Sequence, residues 1–300
     1  MSEGSSVGGE RWVSEEQQQF LRVAYRVRRG LFCRQSALQE VEVVETVGFG
    51  RMLLLDSVAQ VSERDEQVYH EMIAHVPLFV HANPVRVLVV GGGDGGTVRE
   101  VLRHPSVEFC RLVEIDPIVI EACREHFPWT APALDDSRCV LTIGDGVEFV
   151  RGSTEVFDVI IVDSSDPQGP AASLFGDVFY RDVRRRLTAD GIVVSQAGSP
   201  FYDADAQASL VGVLGGVFPR VHLYNYSNLV YPGGLWSFTY ASVGDRCPIA
   251  GLRTGSVEAL EPGLSYYGEA VHRAAFVHPA FQARALRGLV TPLTGGRSAG

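Results

Sequence analysis

Residues 85–96 read VRVLVVGGGDGG, an apolar run from Val85 to Val90 followed at once by the glycine-rich stretch GGGDGG at 91–96. A glycine-rich turn between a buried strand and a helix lets a backbone approach a ligand, usually a phosphate. Here a carboxylate, Asp94, stands in the middle of the turn. An anionic side chain is badly placed against a pyrophosphate and well placed against a cation. The loop therefore points to a nucleoside that carries a positively charged tail.

Outward from this loop the chain repeats the pattern. Phe109–Ile115, Cys139–Ile143, Val156–Val162 and Ile192–Ser195 are short, nearly continuous apolar runs. Between them lie helical stretches at Thr97–Arg103, Pro117–Glu125, Val147–Arg151, Ser173–Leu187 and Ala204–Val217. Strands apolar on both faces that alternate with helices predict a parallel, doubly wound α/β sheet. Two more β-like runs, Val221–Tyr226 and Trp236–Ala241, bring the strands to seven, the nucleoside-binding variant of that fold. Upstream, VEVVET, RMLLLD and VAQVSE between Gln39 and Ser62 predict a small antiparallel unit with a turn at Gly48–Gly50. Residues 64–79 predict a helix with Tyr69, Met72, Ile73 and Val76 on one face. The expected organisation is a disordered segment over 1–10, an N-terminal β-rich domain over 11–75 and a Rossmann-like domain over 76–300.

Composition narrows the function. The chain has 300 residues and a net charge of −10, which disfavours nucleic acid as a partner. No apolar stretch is long enough to span a bilayer, and the small, acidic N-terminus does not read as a signal peptide. Five cysteines form no CxxC pair, which suits free thiols in a reducing cytoplasm. All 26 basic residues are arginine, so lysine chemistry of the P-loop, Schiff-base or kinase type is excluded.

In a doubly wound sheet ligands sit beyond the carboxyl ends of the strands. Acids cluster there: Asp94, then Glu114 and Asp116, then Asp145, then Asp163 and Asp166, followed by Gln196. A lone aspartate at a strand end is commonly a helix N-cap, but four successive strands that end in acids suggest a ligand. Glu114 lies where such a sheet places its ribose-hydroxyl acceptor. Asp145, in the GDG at 144–146, reads equally as an acceptor for an adenine amino group and as a cap for the next helix. DSSDPQGP at 163–170 carries two carboxylates three residues apart, ahead of prolines and glycine that favour a defined loop. HEMIAH at 70–75 spaces its histidines five apart, about 140° around a helix, so they cannot share one face as a zinc HExxH pair does. No G-x-S-x-G elbow occurs.

GGGDGG, VEID, GDG, DSSDPQGP and LVYPGGLWSF, in this order, resemble the polyamine aminopropyltransferases, the spermidine synthase family. The similarity runs upstream to RMLLLDSVAQVSERDEQVYHEM and downstream to YYGEAVHRAAF, over roughly residues 30–282. The resemblance implies a small N-terminal antiparallel β-domain on a seven-strand Rossmann-like domain of the class I methyltransferase type. It implies aminopropyl transfer from decarboxylated S-adenosylmethionine, a co-substrate, to an amine, with no metal and no cofactor. Asp163 would be the catalytic aspartate, and Asp166 the second acid of the same loop. Gln39, His70, Asp94, Glu114, Asp145 and Gly146 would contact the donor. Tyr69, Asp94, Asp163, Asp166 and Tyr231 would contact the acceptor, with putrescine the expected amine. Small molecules are then the partners, in a cytoplasmic homodimer or homotetramer that binds neither nucleic acid nor membrane. Two departures lie on the acceptor side: Gln196-Ala197-Gly198 where many relatives read QxE, and LVYPGG at 229–234 where many read PTYPSG. Cadaverine, agmatine or spermidine are alternative acceptors. An S-adenosylmethionine-dependent amine N-methyltransferase and a non-enzymatic polyamine or nucleoside sensor are the alternatives to aminopropyl transfer.

Overall fold

Two sheets joined by one buried helix make up the computed structural model, which describes residues 11–17, 19–164 and 174–293. The first sheet is antiparallel, with its strands in chain order: β1 (Arg11–Gln17), β2 (Leu21–Gln35), β3 (Glu40–Thr46), β4 (Arg51–Leu55) and β5 (Val58–Ser62). The last three are the strands expected over 39–62. β1 and β2 were not anticipated: β2 does alternate Leu21, Val23, Tyr25 and Val27 with outward residues, but only two of its fifteen positions are buried and several are arginines.

Helix α1 (Glu66–Val80) follows directly and buries nearly every side chain, which makes it a core helix rather than a surface one. The expected domain boundary at 75/76 falls inside it. Glu71 of α1 accepts from the backbone N–H groups of Ser265, Tyr266 and Tyr267 at 2.7–2.8 Å, tying the C-terminal region to the helix.

The second sheet runs β11-β12-β10-β9-β6-β7-β8. Its strands are β6 (Arg86–Gly91), β7 (Phe109–Glu114), β8 (Cys139–Ile143), β9 (Phe157–Asp163), β10 (Leu187–Gln196), β11 (Arg220–Ser227) and β12 (Leu235–Ser242). β12 is antiparallel to both its neighbours, and the pairs among β6–β10 are parallel. The inner strands are buried on both sides, as expected of this layering, whereas edge strand β8 has no buried residue and exposes Val140 and Ile143. Val87 and Val89 join the core that contains α1, while Leu88 and Val90 join the core on the opposite face.

Helices α2 (Gly96–Leu102), α3 (Pro117–His126), α4 (Gly146–Gly152), α5 (Asp177–Arg186) and α6 (Ala204–Gly215) connect the strands. The expected helix to Leu187 stops at Arg186, because Leu187 already pairs with Phe157 in the sheet. Helices α7 (Thr254–Leu260), α8 (Glu269–Ala275) and α9 (Ala280–Ala285) complete the chain and were not anticipated. Among the described residues no helix is long and apolar enough to cross a membrane.

Candidate active site

The order of the parallel strands reverses between β6 and β9, the place where a doubly wound sheet opens a crevice. There Gly91 pairs in register with Asp163. The loop after β6 needs glycine because Asp163 lies against it. A Cβ on Gly92, whose φ is +71°, would stand 2.6 Å from Asp163 Oδ2. Gly96 admits a different neighbour, since a Cβ there would lie 2.2 Å from the His70 ring.

Asp163 is only 9% exposed. Tyr69 donates its hydroxyl to Asp163 Oδ1 at 2.8 Å, and Thr97 donates to Oδ2 at 2.6 Å. Burial, and then the charge of Asp94, push the Asp163 carboxyl above its ordinary value. Asp94 is buried too, accepts from Gly96 N at 2.8 Å, and lies 3.2 Å from His70 Nε2. Burial would raise Asp94, but His70 outweighs it and holds the carboxyl below its usual value. One ligand atom each from His70, Asp94 and Asp163 falls within 4.8 Å of the others. The arrangement is a buried acidic cluster; both His70 nitrogens already face carboxylates, so it suits an organic cation better than a metal ion.

Glu114 ends β7, with Oε1 accepting from Asp116 N at 2.8 Å and Oε2 close against Gly93. Its burial raises the carboxyl to about 7. Asp116 caps α3 through Ile118 N at 3.0 Å, and its other oxygen takes Ser36 Oγ at 2.7 Å and Gln39 Nε2 at 3.1 Å. Gln39 is thereby brought to the end of β7, onto Asp116, two residues beyond Glu114. Asp145 is exposed and caps α4 by accepting from Val147 N at 2.7 Å. Gly146 behind it has no room for a side chain, since a Cβ would lie 2.3 Å from Val90.

An aromatic wall closes the pocket beside Asp163. The Tyr69 ring packs edge-on against Tyr226, Tyr231 and Phe238, with centroids 5.8, 5.9 and 5.0 Å apart. Tyr231 is held by the first sheet, donating to Gln60 O at 2.6 Å. The segment before it is anchored by Asp65 Oδ2, which accepts from Leu229 N at 2.8 Å and Val230 N at 3.1 Å. Tyr25 donates to Val230 O at 2.7 Å. Gly198, at φ +67°, has the Asp203 carboxylate packed where a side chain would start.

The structure thus brings Tyr69, His70, Asp94, Asp163 and Tyr231 to one pocket, and Gln39 and Glu114 to one strand end. Asp145 and Gly146 sit at the end of the outer strand, and Asp166 lies outside the described residues. Sequence reasoning missed Thr97, Glu66 and Arg99. Thr97 and Arg99 sit in an ordinary-looking helix after the glycine loop. Their only signal was position: α2 leaves that loop beside the strand that carries Asp163.

Fold and site together define a transferase scaffold of the class I methyltransferase type, whose switch point presents buried carboxylates. Comparison with known proteins makes this specific. Residues 66–248 match the family model described as the spermine/spermidine synthase domain, and residues 11–63 match the spermidine synthase tetramerisation domain. A polyamine aminopropyltransferase of Moorella thermoacetica is 45% identical over 270 residues, covering 90% of this chain and 94% of its own length. One of Clostridium tetani is 42% identical over 274 residues, covering 90% and 95%. A spermidine synthase solved with the transition-state analogue AdoDATO superimposes with a TM-score of 0.89 at 38% identity, covering 92% of this chain and 94% of that one. The spermidine synthase of Thermotoga maritima gives 0.88 at 39% identity, with the same coverage. The chain belongs to the spermine/spermidine synthase family.

Proposed function

We propose that this member of the family transfers the aminopropyl group of decarboxylated S-adenosylmethionine to putrescine, forming spermidine and methylthioadenosine. The observation that carries this reading is the pair of buried carboxylates, Asp94 and Asp163, at the switch point beside an aromatic wall. A donor that had kept its carboxylate would meet Asp94 with like charge, whereas a decarboxylated tail ends in an ammonium that Asp94 attracts.

In this reading Glu114 accepts from the ribose hydroxyls, with Gln39 beside it, and Asp145 and Gly146 border the adenine. His70 and Asp94 meet the donor's tail. Tyr69, Tyr231, Asp163 and Asp166 meet the diamine, whose methylene chain lies along the aromatic wall. A primary alkylamine in water is protonated up to pH ~10, so freeing its lone pair at pH 7 costs about 4 kcal/mol. Asp163 orients that amine and accepts its proton as the C–N bond forms. The C–S bond breaks with its electron pair kept by sulfur, so the sulfonium leaves as a neutral thioether. The raised pKa of Asp163 makes it a better proton acceptor than a solvent-exposed aspartate. The donor carbon is already activated by the sulfonium, which suits a chain that has no lysine. The match of residues 11–63 to the tetramerisation domain supports a homo-oligomer, dimer or tetramer, and we place it in the cytoplasm.

The test offers both donors, each with putrescine, cadaverine, agmatine and spermidine. Spermidine and methylthioadenosine from the decarboxylated donor are the expected products. Methyl transfer from intact S-adenosylmethionine, with no aminopropyl product, would sink the proposal. A preference for another amine would leave the donor assignment standing and replace putrescine.

A further inference from the structure

Behind Asp94 and His70 stand charged groups, Glu66 and Arg99, that the reaction as described does not use. The His70 ring has a carboxylate at each nitrogen: Nδ1 lies 2.5 Å from Glu66 Oε2, and Nε2 lies 3.2 Å from Asp94 Oδ1. An ionised carboxylate only accepts, so both nitrogens must donate, and a ring with two N–H groups is an imidazolium. Glu66 is itself clamped. Arg99 places its two terminal nitrogens 2.9 Å from the two Glu66 oxygens, a bidentate pair that fixes the plane of the carboxylate. Arg99 Nε also bonds Glu100 Oε1 at 2.6 Å. Glu66 and His70 are one turn apart on α1, which puts them on one face, and α2 supplies Arg99.

Other groups close the remaining sides of the ring. Tyr69 lies edge-on at 5.6 Å, Gly96 leaves no space for a Cβ, and an Asp163 oxygen lies within 4.8 Å of a ring nitrogen. His70 is 2% exposed, so water offers it no alternative partner.

We propose that Glu66, clamped by Arg99, is a positioning residue for donor binding: it holds His70 doubly protonated with Nε2–H on Asp94. Asp94 then keeps one oxygen pinned and presents the other to the donor's cationic tail. This rests on the reading of Asp94 as the contact for the donor's ammonium. The electrostatics agree with the geometry. Burial opposes the imidazolium, but Asp94 and Glu66 outweigh it and raise His70 well above its usual value. Burial likewise opposes ionised Glu66, yet His70 and Arg99 hold it below its usual value. Without the Glu66 charge, His70 loses its second proton at neutral pH, and Asp94 is no longer pinned.

Ring ¹⁵N shifts report the protonation of His70 without any substrate, the signal being assigned from the spectrum of His70→Gln. In the wild-type protein both nitrogens carry protons from pH 6 to pH 8. Glu66→Gln brings the His70 titration into that interval. The ratio of its donor kcat/KM to that of the wild type then falls about tenfold from pH 6 to pH 8, because the pinned form is the low-pH form. The acceptor KM stays within about twofold, as a donor-side role requires. Arg99→Gln acts in the same direction, and Arg99→Lys restores part of the loss. A singly protonated His70 in the wild-type protein at pH 7 overturns the proposal, as does a folded Glu66→Gln variant with a flat ratio. Should Glu66→Gln fail to fold, the wild-type spectrum and Arg99→Gln decide. A wild-type protein with no activity on the decarboxylated donor would overturn the proposed function instead, and the ring spectrum would still be read on its own.

Discussion

The ends of β6, β7 and β9 and the segment 228–234 line the same pocket but are held in place by different means. Asp94, Glu114 and Asp163 follow from strand register: Gly91 opposes Asp163, and β7 ends on Glu114 beside the glycine loop. Every partner that orients Asp163 and Asp94 comes from a neighbouring strand, its loop, or α1 and α2. Tyr231 depends on contacts across the two sheets, through Gln60, Asp65 and Tyr25. One wall is thus set by the second sheet, and the other by how the first sheet meets it. In the proposed reaction the first wall serves the donor and the reacting amine, and the second serves the rest of the acceptor. The two should therefore respond separately to substitution.

The largest effect is expected at the register-held wall. Asp163→Asn keeps the size of the side chain but removes the proton acceptor, and kcat should fall about 10³-fold with the fold intact. Single-turnover rates together with a circular dichroism melt check this; a loss below tenfold would remove the catalytic role. At the second wall, Asp65→Ala strips the partner from Leu229 N and leaves Val230 N with Asn228 Oδ1 alone. The acceptor KM should rise about tenfold and the melting temperature should drop, since a donor left unpaired costs about 1–3 kcal/mol. An equal rise in the donor KM would break the separation of the two walls.

Glu114 sharpens the donor side through pH. Its carboxyl is raised to about 7 by burial, so the folded protein disfavours the ionised form. In the proposed binding mode ribose hydroxyls donate to the ionised form and favour it. Methylthioadenosine should therefore bind about tenfold more tightly at pH 8 than at pH 6, with release of a proton, and Glu114→Gln should abolish the dependence. Calorimetry in buffers of different ionisation enthalpy measures both. The smallest change is Tyr25→Phe, which deletes the hydroxyl bond to Val230 O at about 1 kcal/mol and should raise the acceptor KM severalfold.

The same division explains what could be read from the chain. All seven strands of the parallel-type sheet were legible from their apolar runs, which burial on both faces explains for the inner strands but not for the half-exposed β8. The acids at their ends were legible because strands of this fold deliver their last residues to one rim. β2 left no continuous run, only the alternation of Leu21, Val23, Tyr25 and Val27 among arginines, and the short helices α7–α9 left neither. Glu66 and Arg99 stayed hidden for another reason: each looks like a surface charge on its own helix, and only the packing of α1 on α2 turns the pair inward. The hold of Asp65 on residues 229 and 230 joins positions more than 160 residues apart, a distance over which no local pattern speaks.

The pairing of Gly91 with Asp163 has one more consequence. Successive side chains on a strand point to opposite faces, so the aim of this carboxylate is discrete rather than graded. A slip of one residue between β6 and β9 would turn it away from the crevice altogether, and no side-chain rotation could bring it back. In the proposed reaction, turnover is therefore also a readout of strand alignment, all or nothing, at the centre of the larger sheet.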